Sequence, residues 1–112
     1  MISKIGVVFM LKNIAEFQEF NQSRFVRVNL FQEGNTTAFL LNLLPGQSVP
    51  PHPHPNANVY LHVVEGEGTF IINEKELPVS QKDVVHCADQ EVLQIKNQSD
   101  EPLSVYVVMA KS

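Results

Sequence analysis

Two of the four histidines of this chain, His52 and His54, lie two residues apart in a proline-rich stretch. Residues i and i+2 of an extended strand point to the same face, so the two imidazoles are predicted to lie side by side. Imidazole is a common ligand of Zn, Cu, Fe and Ni. Prolines flank both histidines and restrict the backbone around them, which favours a pair that is held in place before a metal binds.

The histidine pair alone does not distinguish a metal site from a solvent-exposed loop. A stable metal site needs a third and usually a fourth protein ligand. The other candidates in the chain are His62, His86 and Cys87. Cys87 lies in an apolar run, which favours a small buried side chain over a nucleophile. His86 is retained as a candidate third ligand, although the sequence does not fix the face to which it points.

Short strands are the elements that must position these residues. About eight stretches rich in β-forming residues follow one another at a spacing of roughly 8–12 residues, with polar turns between them, as in a β-sandwich or barrel. Asn13 and Glu16 have the spacing of a capping box, which predicts one or two turns of helix that end before Asn21. The apolar run Ile5–Met10 predicts an edge strand or a strand exchanged between subunits.

Composition limits the classes of function. A length of 112 residues predicts one domain. A hydrophobic content of 44% with 18% charged residues predicts a folded protein rather than a disordered one. The net charge is −4 and the chain has no cluster of Lys and Arg, so we expect no nucleic-acid partner. One cysteine cannot form an internal disulfide.

Location is predicted from the same composition. The apolar run near the N-terminus is too short to span a membrane, and no small-residue cleavage site follows it. We therefore expect a cytoplasmic protein that has no membrane partner.

Two segments of the chain resemble the two sequence motifs of the cupins. Gly46, the His52-x-His54 pair and the strand that ends at Gly66 resemble the first cupin motif. Residues 81–102 are similar to the second motif in spacing, and the resemblance covers about residues 36–109. It implies an all-β fold, a single cupin domain over residues 1–112 built as a jelly-roll barrel of two antiparallel sheets, with a short N-terminal helix. It also implies a homodimer, since small cupins commonly pair.

This chain departs from the cupin pattern at two ligand positions. The first cupin motif carries a glutamate ligand where this chain has Val59, and the second carries a histidine ligand where it has Leu93. Only His52 and His54 therefore carry over from the family's ligand set. If Val59 points into the barrel, His62 three residues later points outward.

The resemblance also implies a pocket inside the barrel, lined by alternate residues of the inner sheet. Because two polar ligands are replaced by apolar residues, we expect this pocket to be more apolar than is usual for the family. The candidate lining residues are Phe39, Val59, Leu61, Leu93 and Ile95.

Two functions stay open. In the first, the protein binds a small molecule in the barrel as a sensor or accessory module, with or without a divalent metal on the histidine pair. In the second, it is a metal-dependent enzyme that carries out an oxygenase- or isomerase-like step. One divalent transition metal is the only cofactor considered, and the sequence does not choose among Zn, Ni, Fe and Mn. No catalytic residue is assigned, and a purely structural dimer ranks last.

Overall fold

The computed structural model describes residues 10–112, so the strand predicted at Ile5–Met10 lies outside the described residues except for Met10. Within the described part of the chain, a single 3₁₀ turn at Ile14–Phe17 precedes nine β-strands. The strands are β1 (Val26–Glu33), β2 (Thr36–Leu43), β3 (Ser48–Pro53), β4 (Ala57–Glu65), β5 (Glu67–Ile72), β6 (Lys75–Ser80), β7 (Val84–Cys87), β8 (Val92–Lys96) and β9 (Leu103–Lys111).

The strands form two antiparallel sheets. The five-stranded sheet has the order β1-β2-β9-β4-β7, and the four-stranded sheet has the order β3-β8-β5-β6. One apolar core contains residues from both sheets. This arrangement confirms the predicted all-β jelly-roll barrel.

Burial along β2 and β4 separates the two faces of the five-stranded sheet. In β2, seven of the eight residues are buried, as expected for a strand that is covered on both faces. In β4 the pattern alternates: Val59 and Leu61 are buried in the core, whereas Tyr60 and His62 are exposed. Because side chains alternate along a strand, β4 has one face toward the core and one toward solvent. The predicted outward direction of His62 is thereby confirmed.

Gly66 is the point at which the chain passes from the five-stranded to the four-stranded sheet. Its φ of +88° lies in the left-handed region, and a Cβ at this position would collide with the carbonyl oxygen of Pro102. Only glycine tolerates both conditions. The turn is short, because β5 already begins at Glu67.

Residues before β1 lie against the outer face of the five-stranded sheet. Asn42 Nδ2 donates to the Phe17 carbonyl at 2.9 Å, and Gln18 Nε2 donates to Ser104 Oγ at 3.0 Å. Asn13 is the predicted N-cap, and its side chain accepts from the backbone of Ala15. The helix that it caps is a single 3₁₀ turn with no buried residue. No helix within residues 10–112 is long and apolar enough to cross a membrane.

Candidate ligand-binding site in the barrel

A cavity of about 300 Å³ lies between the two sheets. Its wall combines inward side chains of the five-stranded sheet with side chains of β3 and β8, and most of them are apolar. The lining residues are Phe25, Arg27, Phe39, Leu41, Val49, His52, His54, Val59, Leu61, Leu93, Ile95, Val107 and Met109.

All five residues proposed from the sequence as pocket lining lie on this wall. Whether they contact a ligand stays a prediction. Leu41 was missed although it lies two residues after Phe39 and so shares its face. Val107 was missed because β9 is almost continuously apolar, which hides the alternation. Arg27 gave no signal, since a single arginine on a strand is usually solvent-exposed, and Arg27 is exposed here although it also lines the cavity.

The proline-rich stretch that contains His52 and His54 brings their two rings together at one part of the cavity wall. Their ring centroids lie 4.5 Å apart with the ring planes inclined by 56°. His52 Nδ1 lies 3.0 Å from the Pro50 carbonyl oxygen. A carbonyl only accepts, so Nδ1 carries a proton, and in the neutral form of the ring Nε2 remains for a ligand. His54 Nδ1 is buried and has no hydrogen-bond partner within residues 10–112.

The environment of His54 disfavours its charged form. Burial lowers the pKa of His54, and the positive charges of His52, Arg27 and Lys111 lower it further. Burial acts because an imidazolium loses hydration in an apolar surrounding, and the neighbouring cations act by repulsion. Neutral His54 therefore lies in a positive electrostatic field.

Val59 and Leu93 occupy the cavity wall together with the histidine pair. Leu93 of β8 pairs directly with His52 of β3, and Val59 projects from β4 into the same cavity. These are the two positions at which the cupin pattern carries its other metal ligands. Their side chains have no donor atoms, so the wall offers two imidazoles where the pattern would supply four ligands.

The structure does not bring His86 to this pair. His86 lies on the exposed face of β7, where its ring stacks on Tyr60 at 5.0 Å and its Nε2 lies 2.8 Å from Asn58 Oδ1. Together with His62 it lines a shallow depression on the outside of the five-stranded sheet. His86 therefore lies away from the cavity wall in this arrangement, and its role as a third ligand stays a prediction.

The metal-ligand set is incomplete in the described part of the chain. Residues 10–112 contain no group of three or more His, Cys, Asp or Glu side chains that could hold a metal ion. Stable metal centres in proteins use at least three protein ligands. The residues present therefore do not fit the four-ligand centre that the cupin pattern implies.

Cys87 is not placed as a nucleophile. Its side chain is fully buried in the core, and its Sγ lies 4.0 Å from the Glu91 carbonyl oxygen. Burial raises the pKa of the Cys87 thiol, and the charge of Glu91 raises it further. The burial confirms the prediction that Cys87 is a small buried side chain. The raised pKa also disfavours the thiolate, which is the reactive form of cysteine.

Arg27 is the cationic side chain on the wall. It projects from β1, its guanidinium carbon lies 3.8 Å from the centre of the Phe39 ring, and its Nε donates to Asn29 Oδ1 at 3.0 Å. Partial burial lowers the pKa of Arg27. Stacking on an aromatic face and a fixed Nε hold the guanidinium plane in one orientation.

Comparison with known sequences gives a family match and a curated relative. Residues 39–109 match the family model described as a cupin domain. The tetracenomycin polyketide synthase protein TcmJ of Streptomyces glaucescens is 30% identical over 74 residues. That match covers 64% of this chain and 50% of TcmJ, so the chain spans about half the length of this relative.

Solved structures share the same architecture. The protein TT1209 from Thermus thermophilus superposes with a TM-score of 0.86 at 23% identity, covering 90% of this chain and 96% of that one. A predicted oxalate decarboxylase from Thermotoga maritima gives a TM-score of 0.74 at 24% identity, with 77% of this chain and 79% of that chain covered. At these identities the similarity shows the fold alone.

Proposed function

Because this chain belongs to the cupin domain family, we propose that it binds a small organic molecule in the cavity of its barrel. The observation that carries this proposal is the cavity itself. It has an apolar wall, and its few polar side chains are Arg27, His52 and His54. Small-molecule sites typically combine a largely apolar surface with a few placed polar groups. A volume of about 300 Å³ is near the lower end of such sites and suits a small ligand.

Blocking the cavity is the direct test of this proposal. Val59→Phe adds a ring where Val59 projects into the cavity, whereas Val84→Phe adds the same ring on the exposed face of β7. Calorimetric titration with a neutral aromatic probe, 2-naphthamide, should detect binding to the wild type and to Val84→Phe. Val59→Phe should show none while keeping the β-sheet circular dichroism spectrum. Equal binding by both variants, or no binding of naphthamide or naphthoate by the wild type, would contradict the proposal.

A metal-dependent enzyme is the second candidate. The observation that favours it is the His52–His54 pair, with rings 4.5 Å apart and one buried nitrogen that has no partner within residues 10–112. The names of the relatives are compatible with work on small molecules, since one is a polyketide synthase protein and another a predicted oxalate decarboxylase. The metal-dependent enzyme ranks second because the side chains of Val59 and Leu93 cannot bind a metal ion. An oxygenase- or isomerase-like activity would require a metal held by two protein ligands, and Zn, Ni, Fe and Mn remain equal choices.

We further propose a homodimer that uses the outer face of the five-stranded sheet. Tyr60 and Val84 are 49% and 75% exposed there and line an apolar depression, and contiguous exposed apolar surface commonly marks an interface. Val84→Lys should shift the molecular mass measured by light scattering from dimer toward monomer. A monomeric wild type would refute the proposed homodimer.

A cytoplasmic location is proposed from the single, buried cysteine, since secreted small domains are usually disulfide-bonded.

A further inference from the structure

The side chains near the cavity that can carry a charge are all basic. Arg27, His52 and His54 are the ionisable side chains on its wall, and no carboxylate is among the lining residues in the described part of the chain. Lys111 does not line the cavity, but its charge acts on His54. A chain with net charge −4 thus presents a positive field at this cavity. Such a field favours an anionic ligand.

Arg27 is arranged to receive that anion. Its Nε is occupied by Asn29 Oδ1, and its guanidinium lies over the Phe39 ring. The two terminal nitrogens are therefore the donors that remain for a ligand. A guanidinium fork matches the two oxygens of a carboxylate and forms paired charge-assisted hydrogen bonds with them. Phe39 contacts both the guanidinium and the cavity, so a carboxylate on Arg27 would place the rest of the ligand against apolar side chains.

We propose that the cavity binds small monocarboxylic acids, with the carboxylate on Arg27 and the apolar body against Phe39, Val59 and Leu93. This inference rests on the proposed small-molecule function and adds the chemical class of the ligand. A carboxylate fits better than a phosphate monoester, because one guanidinium beside an apolar wall leaves most of a dianion without partners, and a buried charge without partners is costly. Arg27, rather than a metal, anchors the ligand.

The test compares a carboxylate with a neutral molecule of the same shape. Titrations of 2-naphthoate and 2-naphthamide are followed by calorimetry, in EDTA and at low salt. The wild type should bind the carboxylate roughly tenfold to a hundredfold more tightly than the amide, as expected for hydrogen bonds to a charged group. Arg27→Met, which retains most of the apolar stem, should remove that preference.

Two control variants separate the role of Arg27 from a change in net charge. Arg24→Met removes the same charge at an exposed position outside the cavity wall and should keep the preference for the carboxylate. Arg27→Lys keeps the charge without the fork and should retain part of it. The thermal midpoint of each variant checks folding. Because amide binding is measured separately, it shows whether the cavity of Arg27→Met still binds a neutral ligand even if carboxylate binding is lost.

Three outcomes would overturn the inference. If the wild type binds the amide as tightly as the carboxylate, the cavity binds small molecules but does not select acids, and the proposed function stands without this addition. If Arg24→Met loses the preference as much as Arg27→Met, the effect is general electrostatics rather than a site. If the wild type binds neither probe, the proposed function and this inference fail together.

Discussion

The four histidines form two pairs, one on the wall of the cavity and one on the outer face of the five-stranded sheet. His54 is half-buried, whereas His52, His62 and His86 are exposed. His52 lies in β3 and His54 directly follows its last residue, Pro53, and the two rings are adjacent on the wall of a cavity. His62 and His86 lie on neighbouring strands of the five-stranded sheet and face outward. The outer His86 has Tyr60 and Asn58 as partners, whereas a buried nitrogen of His54 has none within residues 10–112.

The difference shows that the face of the sheet decides what a histidine can do. On β4, Val59 and Leu61 point inward, and this alternation sends His62 to solvent. A polar nitrogen that lacks a partner in an apolar surrounding is costly, so a ligand in the cavity would gain by bonding to it. An outer histidine that already has partners offers no such gain. The inner pair is therefore the one for which we expect a binding function.

The largest predicted effect separates the inner and outer faces of the five-stranded sheet. Leu61→Ala removes a buried side chain from the core and should lower the free energy of unfolding by about 2–5 kcal/mol. Val84→Ala trims an exposed side chain on the neighbouring strand and should change it by about 0.5 kcal/mol or less. Urea denaturation of both variants makes the measurement. Similar losses in the two variants would contradict the assignment of inner and outer faces.

The next effect concerns metal. If the protein takes up a divalent metal, the double variant His52→Ala/His54→Ala should lose affinity by roughly 100-fold or more, because even changes behind the ligands cost 10- to 100-fold. The matched double variant His62→Ala/His86→Ala should retain the wild-type affinity. Metal content by mass spectrometry of protein purified without a histidine tag, before and after loading with Zn²⁺ or Ni²⁺, makes the comparison. Metal uptake that depends on His62 and His86 rather than on His52 and His54 would contradict the assignment of the binding function to the inner pair.

The smallest effect is on the pH dependence of stability. The folded pKa of His54 lies below its usual value of 6.5, so the unfolded chain binds more protons between the folded and unfolded pKa. His54 therefore leaves stability unaffected above about pH 6.5 and lowers it as pH falls through the folded pKa. Thermal unfolding between pH 7.5 and 5 should show a smaller loss for His54→Gln than for the wild type. Identical pH profiles would argue against the depressed pKa.

The sequence predicted the fold more completely than the site. Alternating or continuous apolar runs predicted about eight short strands, and residues 10–112 contain nine. Burial on one or both faces of a strand determines these patterns. The histidine pair followed from spacing, and the five wall residues followed from the resemblance to the cupins together with alternation along the strands. Arg27 did not, because its contact with Phe39 depends on how β1 packs beside β2, and such a contact leaves no local pattern. The face of His86 required the β4–β7 register, which a short strand after a turn does not encode.

The central claim is that a ligand binds between the two sheets, and methyl NMR in EDTA tests it most directly. Val59, Leu93 and Val107 line the cavity, whereas Val84 and Val108 line the outer depression. The account predicts that 2-naphthamide shifts the methyl signals of the first three residues in a saturable manner and leaves those of the other two unchanged. Saturable shifts confined to Val84 and Val108, or no shifts at all, would contradict it.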